Sequence, residues 1–158
     1  MAVSIKAFIA KQLAESCSRY LVDLAALDED VRANSPGGSA RCTYDYTYEC
    51  AVVNRRVAAR MRAEDPGPWP FGDGWAKAPD DHRSLEAATQ ALQGATDDLI
   101  ATWNAFPEDK IDVAIPIPSG EMIPVDMVHL CATHMSYHDA QLNLLQAMHG
   151  DETMHWDD

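Results

Sequence analysis

The stretch PVDMVHLCATHMSYHDAQLNLLQAMHG, residues 124–150, decides the fold. Its apolar side chains recur every three or four residues, the period of one helical face. They are Met127, Cys131, Leu142, Leu145 and Met148. Pro124 suits the first position of a helix, and Asp126 lies in the first turn, where a carboxylate meets the positive end of the helix dipole. We therefore expect a long amphipathic helix that ends at Gly150.

Two histidines, His134 and His138, interrupt this apolar stripe. Residues four apart on a helix lie on one face, so both imidazoles can reach one metal ion. The same spacing also suits two histidines that make ordinary hydrogen bonds. Burial favours a metal, because two unpaired imidazoles inside a helical core would each be costly.

A third ligand has to come from another helix, and Glu49 is the candidate. Glu49 lies beside Cys50, at the edge of the apolar stripe of an earlier helix. A buried carboxylate there would need a positive partner, and a divalent ion held by the histidines would supply it. The alternatives are a pair with Arg55 or Arg56, or exposure to solvent. Asp45, one turn earlier, is the substitute ligand if Glu49 points away, whereas Cys50 itself is interpreted as apolar filler.

Three further helices precede this one. Helical periodicity runs from Ile5 to Val31, from about Thr43 to Met61, and from about Asp81 to Phe106. The segments NSPGGSA (34–40) and EDPGPWPFGDGW (64–75) are too rich in proline and glycine for regular structure. In the second loop, Trp69, Phe71 and Trp75 could cover the mouth of a pocket or pack back onto the helices. Residues 112–123, DVAIPIPSGEMI, predict a short hairpin or an extended excursion around Ser119 and Gly120.

Length and composition restrict the class of protein. A chain of 158 residues is the size of one domain, which we place at 1–150, followed by an acidic tail at 151–158 without periodicity. The net charge of −13 argues against nucleic acid and anionic membranes as partners. No secretory signal is recognisable, and the four cysteines form no CxxC pair. We therefore expect a cytoplasmic protein with reduced thiols.

The segment HLCATHMSYHDAQLNLLQ (129–146) resembles the last helix of the DinB superfamily, the DinB/YfiT-like metalloenzymes, in which HxxxH followed by Gln-Leu carries two metal ligands. Residues 111–130 are similar to that family's strand-turn-strand lead into the helix, and residues 46–61 to its second helix. The resemblance extends from about Tyr44 to Gly150. It implies an all-α four-helix bundle. The family usually has histidine as third ligand, where this chain has Glu49.

The resemblance also implies a function. It suggests a divalent metal ion (zinc, nickel, iron or manganese) held by Glu49, His134 and His138, and a metal-dependent thiol S-transferase acting on a small-molecule substrate with a low-molecular-weight thiol. A carboxylate in place of imidazole lowers the charge of the site and favours harder ions. A homodimer is expected. The alternatives are a non-catalytic bundle that binds a metal or small ligand, and a metal-dependent hydrolase.

Overall fold

A computed structural model describes residues 4–156 as a mostly helical chain. Its five α-helices are α1 (Ile5–Ala26), α2 (Glu29–Ala33), α3 (Thr43–Met61), α4 (Leu85–Ala105) and α5 (Pro124–Met148). The strands β1 (Ile115–Ile117) and β2 (Gly120–Met122) form one antiparallel hairpin in which Ile115 pairs with Met122. The prediction of a mostly helical protein is confirmed, and of the two alternatives for residues 112–123 the structure shows the hairpin.

The long helices share one core. α1 packs against α4 and α5, and α3 packs against the same two helices. The largest side chains that are fully removed from solvent are Trp103, Tyr20 and Tyr44. Burial of such rings contributes much of the stability of a domain of this size. Within the described residues, no helix combines the length and apolar character that a membrane crossing requires.

The prediction of one continuous helix from Ile5 to Val31 is wrong, because the structure divides this segment into α1 and α2. Leu27 is extended, and Asp28 precedes the short second helix. Arg32 of α2 is buried and donates to the carbonyl oxygens of Leu24, Ala25 and Leu27 at the end of α1. These bonds satisfy carbonyl groups that a continuing helix would otherwise satisfy. The apolar period alone runs through the break and does not reveal it.

The helix starts follow local capping chemistry. Ser4 and Ser84 accept hydrogen bonds from the amides of Ala7 and Ala87, each at 3.2 Å. Serine is a favourable residue at this position because its hydroxyl satisfies an amide that has no partner within the helix. α4 therefore begins at Leu85, a few residues later than predicted.

The tail, for which the sequence predicted no regular structure, is irregular over its described part. Trp156 donates its indole N–H to Asp23 Oδ2 on α1 at 2.6 Å, and the Arg19 guanidinium lies 5.3 Å from the Trp156 ring. Residues 157–158 of the proposed tail lie outside the described residues. The tail is thus held against α1 by one aromatic side chain.

Candidate metal centre

The two histidines of α5 converge on one point. The Nε2 atoms of His134 and His138 lie 3.1 Å apart, and the ring centroids are separated by 4.7 Å. His138 is buried and His134 is half-buried. The two rings therefore share a face, and the 3.1 Å distance fits both interpretations of the pair, a shared metal ion and a hydrogen bond between the rings.

Neighbouring side chains orient His138. Its Nδ1 lies 2.7 Å from Gln141 Oε1, and because an amide oxygen only accepts, Nδ1 carries the proton. In a neutral ring this leaves the lone pair on Nε2, which faces His134. Tyr46 of α3 stacks on the ring at 4.9 Å, and Tyr137 meets it edge-on at 5.0 Å. The imidazole is thus fixed with a ligand atom directed toward its partner.

Both histidines favour the neutral form. Burial lowers the pKa of His138 to about 4, against a smaller opposing effect of the hydrogen bond with Gln141. Burial also lowers the pKa of His134, while the charge of Glu49 opposes the change. Metal ligation requires a deprotonated nitrogen, so these environments suit ligation at neutral pH.

Cys50 of α3 joins the two histidines in a group of three residues that could hold a metal ion. Its sulfur and the ligand nitrogens of His134 and His138 all lie within 4.8 Å of one another. Cys50 is fully buried, and burial, followed by the charge of Glu49, raises the pKa of its thiol well above its usual value. A bound cation would reverse that preference, because coordination stabilises the thiolate. The interpretation of Cys50 as simple filler therefore omitted a possible ligand.

Glu49 lies next to this group but is not part of it. Its Oε2 lies 3.7 Å from His138 Nε2, and the same oxygen pairs with the guanidinium of Arg41. The expected alternatives, Arg55 and Arg56, instead donate to backbone carbonyl groups. Arg41 lies in the loop before α3, where no periodic pattern signals its position. Sequence reasoning therefore missed the residue that neutralises Glu49.

Asp45, the substitute ligand, is engaged elsewhere. Its Oδ1 accepts from the Ala78 amide at 2.8 Å and from Arg83 at 3.1 Å. These bonds direct the carboxylate toward the segment before α4. Asp45 therefore anchors a loop rather than contributing to the candidate centre.

A cavity of about 350 Å³ opens beside the histidines. Its lining includes Arg41, Glu49, Trp75, Tyr137 and Gln141. The Arg41 guanidinium lies 4.7 Å from the Tyr46 ring and 5.0 Å from the Trp75 ring, within the range of cation–π contacts. Trp75 of the 64–75 loop thus lines the cavity, as one of the two interpretations predicted, whereas Phe71 packs against Tyr48 of α3, as the other predicted. A small molecule could reach the histidines through this opening.

A scan against protein-family models finds no match to this chain, and a search of curated proteins finds no significant match.

Proposed function

We propose that this chain is a metal-dependent enzyme of the DinB-like class with a four-helix bundle fold. The enzyme would join a low-molecular-weight thiol, through its sulfur, to an electrophilic small molecule. The observation that carries the proposal is the 3.1 Å approach of the Nε2 atoms of His134 and His138 beside the Cys50 sulfur. The packing of α1 and α3 against both α4 and α5 supports the bundle arrangement.

The residues fit a divalent ion. Two neutral imidazoles and one thiolate form a donor set suited to zinc, and imidazole also suits nickel and iron. Manganese prefers oxygen ligands and would depend on Glu49, the ligand that the sequence predicted. Three protein ligands leave a coordination position open for a substrate, as in catalytic zinc sites.

The ion would supply Lewis acidity, which lowers the pKa of a substrate thiol. In this proposal Glu49, whose Oε2 lies 3.7 Å from His138 Nε2, would accept the proton that the thiol loses. The sulfur then forms a bond to the electrophilic atom, and the leaving group departs with the bonding electrons. Arg41 pairs with the Glu49 carboxylate, and both residues line the cavity that opens beside the histidines.

Metal analysis tests the binding step. Protein purified without a histidine tag should contain about one zinc, nickel or iron per chain, and His134→Ala or His138→Ala should abolish it. His129→Ala is the matched control, because His129 is on the same helix but exposed. Absence of stoichiometric metal under metal-replete expression would overturn the proposal.

Cobalt substitution identifies the third ligand. A thiolate on cobalt produces an intense near-ultraviolet charge-transfer band, whereas a carboxylate does not. We expect the band in the wild type and in Glu49→Gln, and its loss in Cys50→Ser. The opposite result, with cobalt binding lost only in Glu49→Gln, would restore Glu49 as the ligand.

A conjugation assay tests catalysis. Metal-loaded protein should accelerate the reaction of a bimane electrophile with cysteine, glutathione, bacillithiol or mycothiol, and Glu49→Gln should slow it without removing the metal. A fully loaded protein without activity toward any of these thiols would favour the non-catalytic metal-binding bundle. The homodimer implied by the family resemblance stays a prediction, which sedimentation analysis can test.

A further inference from the structure

A second cavity, of about 400 Å³, lies between α3, α5 and the hairpin. Its volume is in the range of small-molecule sites. Most of its lining is apolar and includes Val53, Val57, Ile117, Met122, Met127 and Leu130. Val53 is one turn beyond Glu49 on α3, and Leu130 is one turn before His134 on α5, so the two cavities are neighbours along the same two helices.

All charged residues that line this cavity are positive. Arg56 and Arg60, one turn apart on α3, line the cavity, and none of its described lining residues is acidic. Burial, followed by the positive charge of Arg60, lowers the pKa of Arg56. In a chain of net charge −13, such a pair places two positive charges beside an apolar cavity, and the nearby carboxylates, Glu64 and Asp65, line the adjacent cavity instead.

The two arginines differ in their contacts. Arg56 donates to the carbonyl oxygens of Pro66, Gly67 and Pro68 at 2.8–3.0 Å, and its guanidinium lies 5.5 Å from the Trp69 ring. These bonds hold the 64–75 loop in place as one wall of the cavity. The described part of the chain provides no hydrogen-bond or ion-pair partner for the half-buried Arg60.

Nearby carboxylates are engaged with other groups. Glu64 pairs with Arg62, and Asp65 Oδ1 accepts from the Gly67 amide at 2.9 Å. Arg60 therefore keeps its planar set of donors for a ligand, and a guanidinium pairs best with a carboxylate or phosphate through two parallel hydrogen bonds.

We propose that this cavity binds a small amphiphilic carboxylate, with its alkyl or aryl body against Met122, Met127 and Leu130 and its carboxylate on Arg60. The apolar walls require a hydrophobic body, and the unpaired guanidinium selects an anionic head. The site requires no metal ion. Its test is therefore independent of the proposed transferase activity.

Matched probes test both parts of the ligand. Calorimetric titration of chelator-treated protein with decanoate should give one saturable site, and neutral decanamide should bind more weakly. Arg60→Gln should weaken decanoate binding about tenfold or more, the typical effect of losing a charge-assisted hydrogen bond, and leave decanamide unchanged. Leu130→Asn should weaken both probes.

Arg55→Gln is the control, because Arg55 lies on the same helix as Arg60 but donates to the Ala91 carbonyl oxygen and does not line the cavity. Its decanoate affinity should equal that of the wild type. Circular dichroism and the urea midpoint establish that each variant is folded. No saturable binding of decanoate, equal losses in Arg60→Gln and Arg55→Gln, or an unchanged affinity in Leu130→Asn would each overturn the proposal.

Discussion

At the scale of single residues, the centre depends on side chains that hold the histidines rather than on the histidines alone. Gln141 fixes the proton of His138 on Nδ1, and Tyr46 and Tyr137 enclose the ring. The HxxxH spacing predicted the pair, because helical geometry is local. Arg41 and Cys50 could not be assigned in the same way, because their positions depend on how α3 packs beside α5.

Gln141→Leu should therefore weaken metal binding without removing a ligand. Without an acceptor for its Nδ1–H, the His138 imidazole can rotate out of the ligating orientation. Hydrogen-bond partners of metal-bound histidines typically contribute 10- to 100-fold to metal affinity. Competition with a chromogenic zinc chelator measures the change. Gln141→Glu keeps the acceptor and should retain wild-type affinity or exceed it. An unchanged affinity in Gln141→Leu would contradict the positioning role.

A second residue-scale prediction concerns the buried acids Asp139 and Asp23. Burial, followed by the charge of Asp23, raises the pKa of Asp139 to about 7. Because its ordinary value is 3.8, the folded state holds this proton more tightly than the unfolded chain between about pH 4 and pH 7. The free energy of unfolding contributed by this group therefore falls as pH rises through that window.

Asp139→Asn removes this titration, because the amide is neutral throughout and can still donate to Asp23. We expect the variant to exceed the wild type by about 2 kcal/mol or more in free energy of unfolding at pH 8, and to differ little near pH 4. Urea unfolding of chelator-treated protein at both values measures the difference. Arg19, the nearby cation, is unchanged in both proteins. A pH-independent difference would refute the assignment.

At the scale of elements, apolar periodicity located the long helices but not the junction of α1 and α2. The stripe continues from Leu24 through Leu27 to Val31, so an unbroken helix and a broken one give the same pattern. Ile5 and Phe8, which the pattern places on the buried face, are 48% and 51% exposed. Near a helix end, fewer neighbours are available to cover a side chain, and the period gives no information about them.

Arg32→Met tests the junction. The variant keeps the apolar stem but removes donors to three carbonyl groups at the end of α1, and unsatisfied buried carbonyls are costly. We expect a loss of about 1–3 kcal/mol in the free energy of unfolding, measured with urea. Arg62→Met, at an exposed ion pair, should change it much less, because exposed ion pairs contribute little to stability. Equally small losses in Arg32→Met and Arg62→Met would indicate that Arg32 is dispensable for the junction of α1 and α2.

At the scale of the whole molecule, the tail and the core form one unit through Trp156. The Trp156 indole donates to the Asp23 carboxylate, which also accepts from Asn143 Nδ2 at 2.7 Å. The side-chain amide of Gln146 donates to the backbone carbonyl oxygen of Asp23 at 3.1 Å. The tail thus contacts a network that joins α1 to α5. No periodic pattern predicts this contact, because a single tryptophan in an acidic segment has no spacing to interpret.

Trp156→Leu should reduce the free energy of unfolding by about 1–2 kcal/mol, because it removes a hydrogen bond to a buried carboxylate together with ring packing on Arg19. Thermal and urea unfolding measure the loss. Trp75→Leu is the matched control, since Trp75 is 70% exposed and its loss should barely affect stability. A Trp156→Leu variant as stable as the wild type would show that the tail is not held in solution.

The four cysteines are all free and buried, and burial raises the pKa of Cys131 to about 12. A maleimide or iodoacetamide reagent attacks the thiolate and needs access to sulfur, so the native protein should be nearly inert toward it. The rate of alkylation then reports how often the interior opens. A cysteine introduced on the surface would accept a fluorophore selectively, without removal of any native thiol.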